Sequence, residues 1–369
     1  MKEKEGEEDG RFLYVDIIWG RSYANLFTNV SLASRLSQRN LPSMPNNAAS
    51  KTIIVTTDED RAHIVASSLF KRLEKLMEVV FLPLEKSTQS KYDLMSAGHR
   101  RGIEYADGRG YCVFFSPDTI VADGSIPRLY ELALSGRQIV AGFGPCINQA
   151  AVLNELAIDP AADTGRLLTL PPRKLVKIVL RHLHPNLSRQ NVQSRQYPRQ
   201  PNACLWDAPG EDGILARVLN MHPYLFDARL ATPSLDLFNA TLDWWIIPRA
   251  LQNPNSYYVV TDSDEFLVCG LLPEETTPPP ASGKSFDPVF LSRYLLQTGC
   301  PYFNRNNLLY GIKLHTGDLG EEWKLLEQES YRLTLDVLDP AQLLKPYVAD
   351  HLVKPHAPSW LGRIKQKLQ

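Results

Sequence analysis

The sequence predicts an α/β protein: a mostly parallel sheet with helices on both faces, joined to a second half of mixed α and β character. Three observations predict it. Short apolar runs alternate with segments of helical period through residues 11–150. Those runs end in Gly, Thr, Ser or Asp, residues that turn a chain or cap a helix. After residue 202 the alternation gives way to closely spaced β-like runs.

The elements follow in order. "RFLYVDIIWG" (11–20) is a continuous apolar strand ending in Gly. "YANLFTNVSLASRLSQRN" (23–40) is a helix, with Leu26, Phe27, Val30 and Ala33 at helical spacing, and "LPSMPNNAAS" is a loop. "KTIIVTTDED" (51–60) is a second strand, whose Thr57 or Asp58 can cap the helix "DRAHIVASSLFKRLEKL". "EVVFLPL" (78–84) is a third strand, "KYDLMSAGHRRGIEYAD" (91–107) a helix and "GYCVFFSP" (110–117) a fourth strand. "GSIPRLYELALSG" is a helix stopping at Gly136, and "RQIVAGFG" a fifth strand. Sheets of this kind take ligands at the carboxyl ends of their strands. Trp19-Gly20, Thr57-Asp58 and Ser116-Pro117-Asp118 therefore share one edge.

In the second half, "LPPRKLVKIVLRHLHP" (170–185) is a helix and the polar "NLSRQNVQSRQYPRQPN" (186–202) an exposed loop. The β-like runs are "ACLWDA", "GILARVLNMHPYLF" and "SYYVVTDSDEFLVCGLL". A proline-rich loop (273–288) and the helix "PVFLSRYLLQTG" follow. The expected organisation is a charged head over 1–10, an α/β half over 11–150, a helix and polar linker over 151–202, an α+β half over 203–345 and a tail over 346–369. The tail's "SWLGRIKQKLQ" sets Trp360, Leu361, Ile364 and Leu368 against Arg363, Lys365 and Lys367. Docking on its own domain is the first reading of that helix, and peripheral membrane contact the second.

Bulk properties narrow the function classes. Hydrophobic residues make up 44%, charged residues 22%, and the net charge is −1, so no global field draws in nucleic acid. Basic runs interleaved with aromatics are absent too. Five cysteines without a C-x-x-C suggest buried thiols in a reducing compartment. "MKEKEGEEDG" lacks the apolar core of a signal peptide, and no apolar run reaches the ~18 residues of a spanning helix, so a cytoplasmic location is expected. Dinucleotide, P-loop, serine-hydrolase and zincin motifs do not occur.

Several groups carry candidate chemistry. Asp118 and Asp123 follow the fourth strand and suit a hard divalent cation that shares a substrate's phosphates. The competing reading makes Asp123-Gly124-Ser125 a turn, with Asp123 as N-cap of the next helix. Asp262-Ser263-Asp264 has metal-ligand spacing, yet its apolar flanks also suit the arms of a hairpin with an acidic turn. His222 precedes Pro223 at a strand end, as a metal ligand, a substrate contact or a hydrogen-bonded histidine near the core. His182 and His184 sit at a helix end, where a cation complements the dipole. Arg100 can reach a phosphate or lie on a solvated basic face.

The stretches "IIWGRSYANLFTNVSLASRLSQRNLP", "TIIVTTDED", "KYDLMSAGHRRGIEYA" and "FFSPDTIVADGSIPRLYELALSGRQIV" resemble the nucleotide-binding half of GT-A-type glycosyltransferases, and more closely a group of bacterial glycosyltransferase-like proteins. "GILARVLNMHPYL" and "YYVVTDSDEF" look like that group's second half, so the resemblance spans most of residues 11–315. It implies a GT-A-like (Rossmann-like) sheet and transfer of a hexose-type sugar from a nucleotide-diphosphate sugar, assisted by manganese or magnesium. The acceptor is a glycan, lipid or protein. Trp19, Gly20, Thr57 and Asp58 would hold the nucleotide, joined by Tyr92 and Arg100. Asp118 would stand at the metal motif, with Asp123 as second ligand, because Ser116-Pro117-Asp118 replaces the usual two closely spaced aspartates. His222, Asp262 and Asp264 would face the acceptor, either aspartate serving as general base. The altered metal motif favours an alternative: an inactive GT-A-like scaffold that binds a nucleotide or glycan. A nucleotide-sugar hydrolase would share the site without an acceptor groove. An enzyme should converge Asp118, Asp123 and the "DSDE" carboxylates on one cleft, whereas a scaffold can leave "DSDE" on a surface hairpin.

Overall fold

The computed structural model describes residues 10–84, 90–231, 242, 246–276 and 285–339. The charged head before Gly10, the centre of the proline-rich loop and the tail over 346–369 lie outside the described residues. Among the described residues, no helix is long and apolar enough to cross a membrane.

The protein is α/β, with a large, mostly parallel sheet flanked by helices. Strands β1 (Phe12–Ile18), β2 (Lys51–Thr56), β3 (Glu78–Pro83) and β4 (Tyr111–Phe114) lie parallel in the order β4-β1-β2-β3. A short strand, β5 (Thr119–Val121), follows; β6 (Ile139–Gly142), β7 (Cys146–Asn148), β8 (Ala203–Asp207) and β9 (Gly213–Val218) come next. The last four are β10 (His222–Asp227), β11 (Tyr257–Val259), β12 (Val268–Leu272) and β13 (Ile312–His315). The main sheet runs β11-β6-β10-β4-β1-β2-β3. Among the described residues only β10 runs antiparallel in that sheet, wedged between β4 and β6. Two three-stranded sheets, β5-β12-β7 and β13-β9-β8, complete the framework.

Strand alternation explains why both faces are covered. Phe12, Tyr14 and Ile18 of β1 enter one apolar cluster with Phe27, Phe70 and Leu129. Leu13, Val15 and Ile17 enter the opposite one with Ile103 and Phe226. The helix Lys91–Ala106 packs on β1 through Gly98 and Gly102, where a Cβ would come within 2.5 Å of Ile17 and 2.4 Å of Val15. The polar exception on β1 is Asp16, wholly buried and held by Arg35 Nη1 at 2.8 and 2.9 Å. The guanidinium sits 5.1 Å from the ring centre of Phe115 and 5.8 Å from that of Tyr14. Burial raises the Asp16 pKa, and Arg35 opposes the rise.

Several sequence readings are corrected. The helix read over 23–40 is interrupted by a π-turn, Phe27–Ser31, and stops at Arg35. Residues 186–202 are not simply an exposed loop. Pro185–Ser188 is helical, Tyr197 is fully buried, and its hydroxyl donates to the Ala203 carbonyl. The runs flanking "DSDE" are not hairpin arms: β11 joins the main sheet beside β6, and β12 joins β5 and β7. The acidic segment is tied to β13 instead, through the Asp262–Lys313 bridge and Ser263 N–H donating to the Lys313 carbonyl. "GILARVLNMHPYLF" splits into β9 and β10, which belong to different sheets. Asp123 does not cap the helix Ser125–Leu134: Gly124 holds that position, and Asn40 Oδ1 accepts the N–H groups of Gly124 and Ile126. All five cysteines are free, and four of them are buried.

Candidate active site

The carboxyl edge of the main sheet collects most of the candidate groups. After β1, Gly20 adopts φ +87°, and its N–H donates to Asp60 Oδ2 at 2.8 Å. The Thr57 hydroxyl donates to the same oxygen at 2.8 Å, and Thr57 in turn caps the helix Asp58–Ala66 by accepting the Asp60 N–H. One buried carboxylate thus ties the ends of β1 and β2 together. The neighbouring Asp58, favoured by the sequence, points to solvent. Trp19 lies 6.3 Å from the Tyr23 ring.

Asp118 leaves β4 and lines a cavity of about 380 Å3 with His222, Tyr224 and Gly144. Burial pushes its carboxyl up to about 6. Its charge also reaches Tyr23 and Cys146: the Tyr23 pKa is raised by burial and by Asp118, and burial with Asp118 pushes the Cys146 thiol up to about 11. His222 opens β10 opposite Gly142. Its Nε2–H donates to the Phe114 carbonyl at 3.2 Å, and its ring meets Tyr224 at 4.8 Å. Buried His99, edge-on to Phe114 at 5.2 Å, is pushed down to about 3 by burial, then by the charge of His222.

The structure separates Asp118 from Asp123. They flank opposite ends of β5, three residues of extended chain that span about 10 Å at about 3.3 Å per residue. Asp123 is buried and accepts the Ser37 hydroxyl at 2.6 Å. Asp123 is not among the residues that line the Asp118 cavity. Tyr92 and Arg100 do not reach the cavity. Tyr92 is 57% exposed, with the Lys91 ammonium 5.1 Å over its ring, and Arg100 pairs with Glu104 at 3.0 Å. The helix-end histidines are hydrogen-bonded in place: His182 meets Glu155 at 2.6 Å, and His184 Nδ1 accepts the Asn186 N–H.

Asp262 and Asp264 converge with a residue absent from the sequence reading, His315 of β13. One ligand atom from each lies within 4.8 Å of the others. His315 Nε2 is 2.9 Å from Asp262 Oδ1 and 3.9 Å from Asp264 Oδ2. Its Nδ1 meets the Gly317 carbonyl at 2.6 Å. A carbonyl only accepts, so Nδ1 carries a proton. Nε2 and the two carboxylates thus gather as three groups that could hold a metal ion. A histidine whose far nitrogen donates to a backbone carbonyl is the usual form of a metal ligand. Arg173 competes, with Nε 2.9 Å from Asp264 and Nη1 2.9 Å from Asp318. Gly142 and Phe143 border both this triad's flank and the Asp118 cavity, so the two lie on either side of that dipeptide.

No protein-family model and no curated protein matches the sequence. Among solved structures, the chain is similar to the crystal structure of S. aureus TarS 1–349 at 9% identity and TM-score 0.37, covering 89% of this chain and 71% of that one. For the S. aureus TarS crystal structure the values are 9% and 0.35, covering 89% and 43%. A putative glucose-1-phosphate thymidylyltransferase from Bacillus anthracis in complex with a sucrose shows 11% identity and TM-score 0.24, covering 36% and 55%. Scores this low carry no inference about function, which rests on the site itself.

Proposed function

We propose that the protein is a GT-A-like glycosyltransferase that moves a sugar from a nucleotide-diphosphate sugar to an acceptor hydroxyl. The observation that carries this reading is the meeting of Asp118 and His222, from opposite halves of the sequence, in one cavity at the sheet's carboxyl edge. The tied loop ends at Gly20 and Thr57 supply the nucleotide side of that edge. Asp118, with its carboxyl near 6, suits a general base that takes a proton from the acceptor hydroxyl. His222 positions the acceptor beside it. Asp262, Asp264 and His315 are the residues that fit a divalent cation, which when bound would offset charge on a departing diphosphate. Asp262 and Asp264 follow β11, which lies four strand positions from β1, about 19 Å at about 4.8 Å per strand, so a donor gripped at both places would run along the sheet edge.

The test is thermal stability against a panel of nucleoside diphosphates, with and without manganese, in the wild type, Asp118→Ala and His315→Ala. A ligand that binds only the folded chain raises Tm. The reading expects one nucleotide to stabilise the wild type and His315→Ala to lose the manganese-dependent part. It also expects nucleoside diphosphate to be released from the donor much faster once acceptor is added. Release that ignores acceptor indicates a hydrolase. No shift with any nucleotide removes the reading. One observation favours a second reading, a nucleotide- or glycan-binding scaffold: the Arg173 guanidinium already lies against Asp264, where an active enzyme would place its cation. Nucleotide binding without release under any condition would select it.

A further inference from the structure

The walls of the Asp118 cavity say more about what it takes. Its floor is the three-stranded sheet, where Thr119, Gly270 and Cys146 stand in register across β5, β12 and β7. Gly270 is at the middle of the central strand, and a Cβ built there would meet nothing within 4 Å. Glycine inside a strand weakens it and marks bulges, bends or the close approach of a ligand. No neighbour crowds Gly270, so packing gives no reason for a bare floor.

The facing wall is built from side-chain amides: Asn186, Gln190, Asn202 and Asn220. Two of these brace the wall. Gln190 Oε1 accepts the N–H groups of Asn202 and Ala203 at 2.8 and 2.7 Å, and Asn202 Oδ1 accepts the Asn220 N–H at 3.0 Å. The other two keep hydrogen-bonding capacity. Asn186 Oδ1 is shielded from solvent and has no partner, although His184 fixes its backbone. Asn220 Oδ1 accepts from Asn304, which leaves its own Nδ2 to donate. Side-chain amides in a cavity wall are groups that a ligand hydroxyl can meet as donor or acceptor.

Charge and shape then select the ligand. No lysine or arginine lines the cavity, and Asp118 is its sole carboxylate among the described residues. A phosphate or carboxylate there would meet Asp118, and neither lysine nor arginine stands in the lining to offset the repulsion. For a flat base, the largest ring in the lining offers no free face. Tyr224 is packed against His222 and Phe266, both at 4.8 Å, and Phe143 packs into both apolar clusters. Tyr224 turns its hydroxyl toward Gly144, where a Cβ would come within 2.5 Å of it. We propose that this cavity binds an uncharged sugar ring, free of phosphate and carboxylate, and that it is the acceptor subsite. Its assignment to the acceptor rests on the transferase reading; its preference for a neutral sugar does not.

Saturation-transfer NMR on the full chain tests this. The probes are methyl glycosides of neutral hexoses and N-acetylhexosamines, the matching hexuronates, hexose phosphates, and uridine as a flat-ring control. At least one neutral glycoside should bind, with the acidic sugars and uridine at least tenfold weaker. Gly270→Val, a strand-compatible side chain entering the floor, and Asn186→Leu should each weaken binding at least tenfold. Asn186→Leu should do so with Tm unchanged or raised, because it removes an unpaired acceptor. If Asn186→Leu does not fold, Gly270→Val decides. Failure of every neutral glycoside, equal binding of acidic sugars or uridine, or undiminished binding by Gly270→Val overturns the proposal. The nucleotide panel separates the two readings: sugar binding without nucleotide binding keeps the subsite and removes the transferase, and the reverse result removes the subsite alone.

Discussion

His315 Nε2 and Asp262 Oδ1 face each other at 2.9 Å while the far nitrogen of the same ring is held by a carbonyl. This arrangement predicts manganese binding that His315→Ala weakens at least about tenfold, as expected for loss of a ligand with an ordered outer shell. Arg173→Ala should tighten it, because the guanidinium competes for Asp264. Isothermal titration on the three proteins checks both. Equal manganese affinity in wild type and His315→Ala would show that the triad does not hold the ion.

The Asp16–Arg35 pair is fully buried on both sides. Removing one partner leaves the other charge uncompensated in the core, which costs about 3–5 kcal/mol. Asp16→Ala and Arg35→Ala should each lose that much in urea denaturation. The double variant Asp16→Leu with Arg35→Met should lose less than either single one. A double variant as unstable as the sum of the two would mean that the aromatic groups around Arg35 require the cation itself.

Gly102→Ala sets two effects against each other. Helix propensity favours alanine by about 1 kcal/mol. The new methyl lands 2.4 Å from Val15 Cγ1, on a strand with no room to retreat, and overpacking costs about 1–3 kcal/mol. The clash should win, lowering Tm, and Val15→Ala in the same chain should recover part of the loss. A thermal melt of the three variants shows whether Gly102 is there for close approach of helix to sheet.

Buried His99 and half-buried Asp118 give stability opposite pH slopes. His99 falls from 6.5 to about 3 in the folded chain. The unfolded state therefore binds the extra proton, and stability is lost as pH drops from about 6.5 toward 3. His99→Phe should flatten that limb. Asp118 rises from 3.8 to about 6, so the folded state holds its proton longer and stability falls as pH rises from about 4 to 6. Asp118→Asn should therefore stabilise the chain by on the order of 2–3 kcal/mol at pH 7, and by little at pH 4. Denaturant titrations at pH 4, 5, 6 and 7 read both effects. An Asp118→Asn gain independent of pH would show that the carboxyl is not held protonated by burial.

The strands and helices of the first half were legible because each is a local pattern. The run from Phe12 to Ile18 is apolar enough to be buried on both faces, and Ser90 with Asp93 closes a capping box readable within four residues. What escaped was long-range. Nothing local shows that β10 inserts between β4 and β6, or that β5, β7 and β12 form a sheet of their own. Asp118 and His222 were singled out as strand-end polar residues, and both line the cavity. His315 lay beyond sequence reading, since the register of β13 against β9 places it and no spacing links it to Asp262. Thr57-x-x-Asp60 is itself a capping signature, with the acidic side chain at the third helical position, so the place of Asp60 is legible locally where Asp58 is the more conspicuous acid.

The central antiparallel strand has a consequence for how the chain is made. The roughly one hundred residues between Phe114 and His222 take about 5–20 s to emerge from a ribosome. Throughout that interval β4 presents a bare apolar edge, and β6 has no neighbour on the side that β10 will fill. The nascent first half is thus an unfinished sheet waiting for its middle. Its hazard during synthesis is pairing with another chain's edge, and the arrival of His222–Asp227 ends that exposure and brings a cavity-lining histidine into place in the same event.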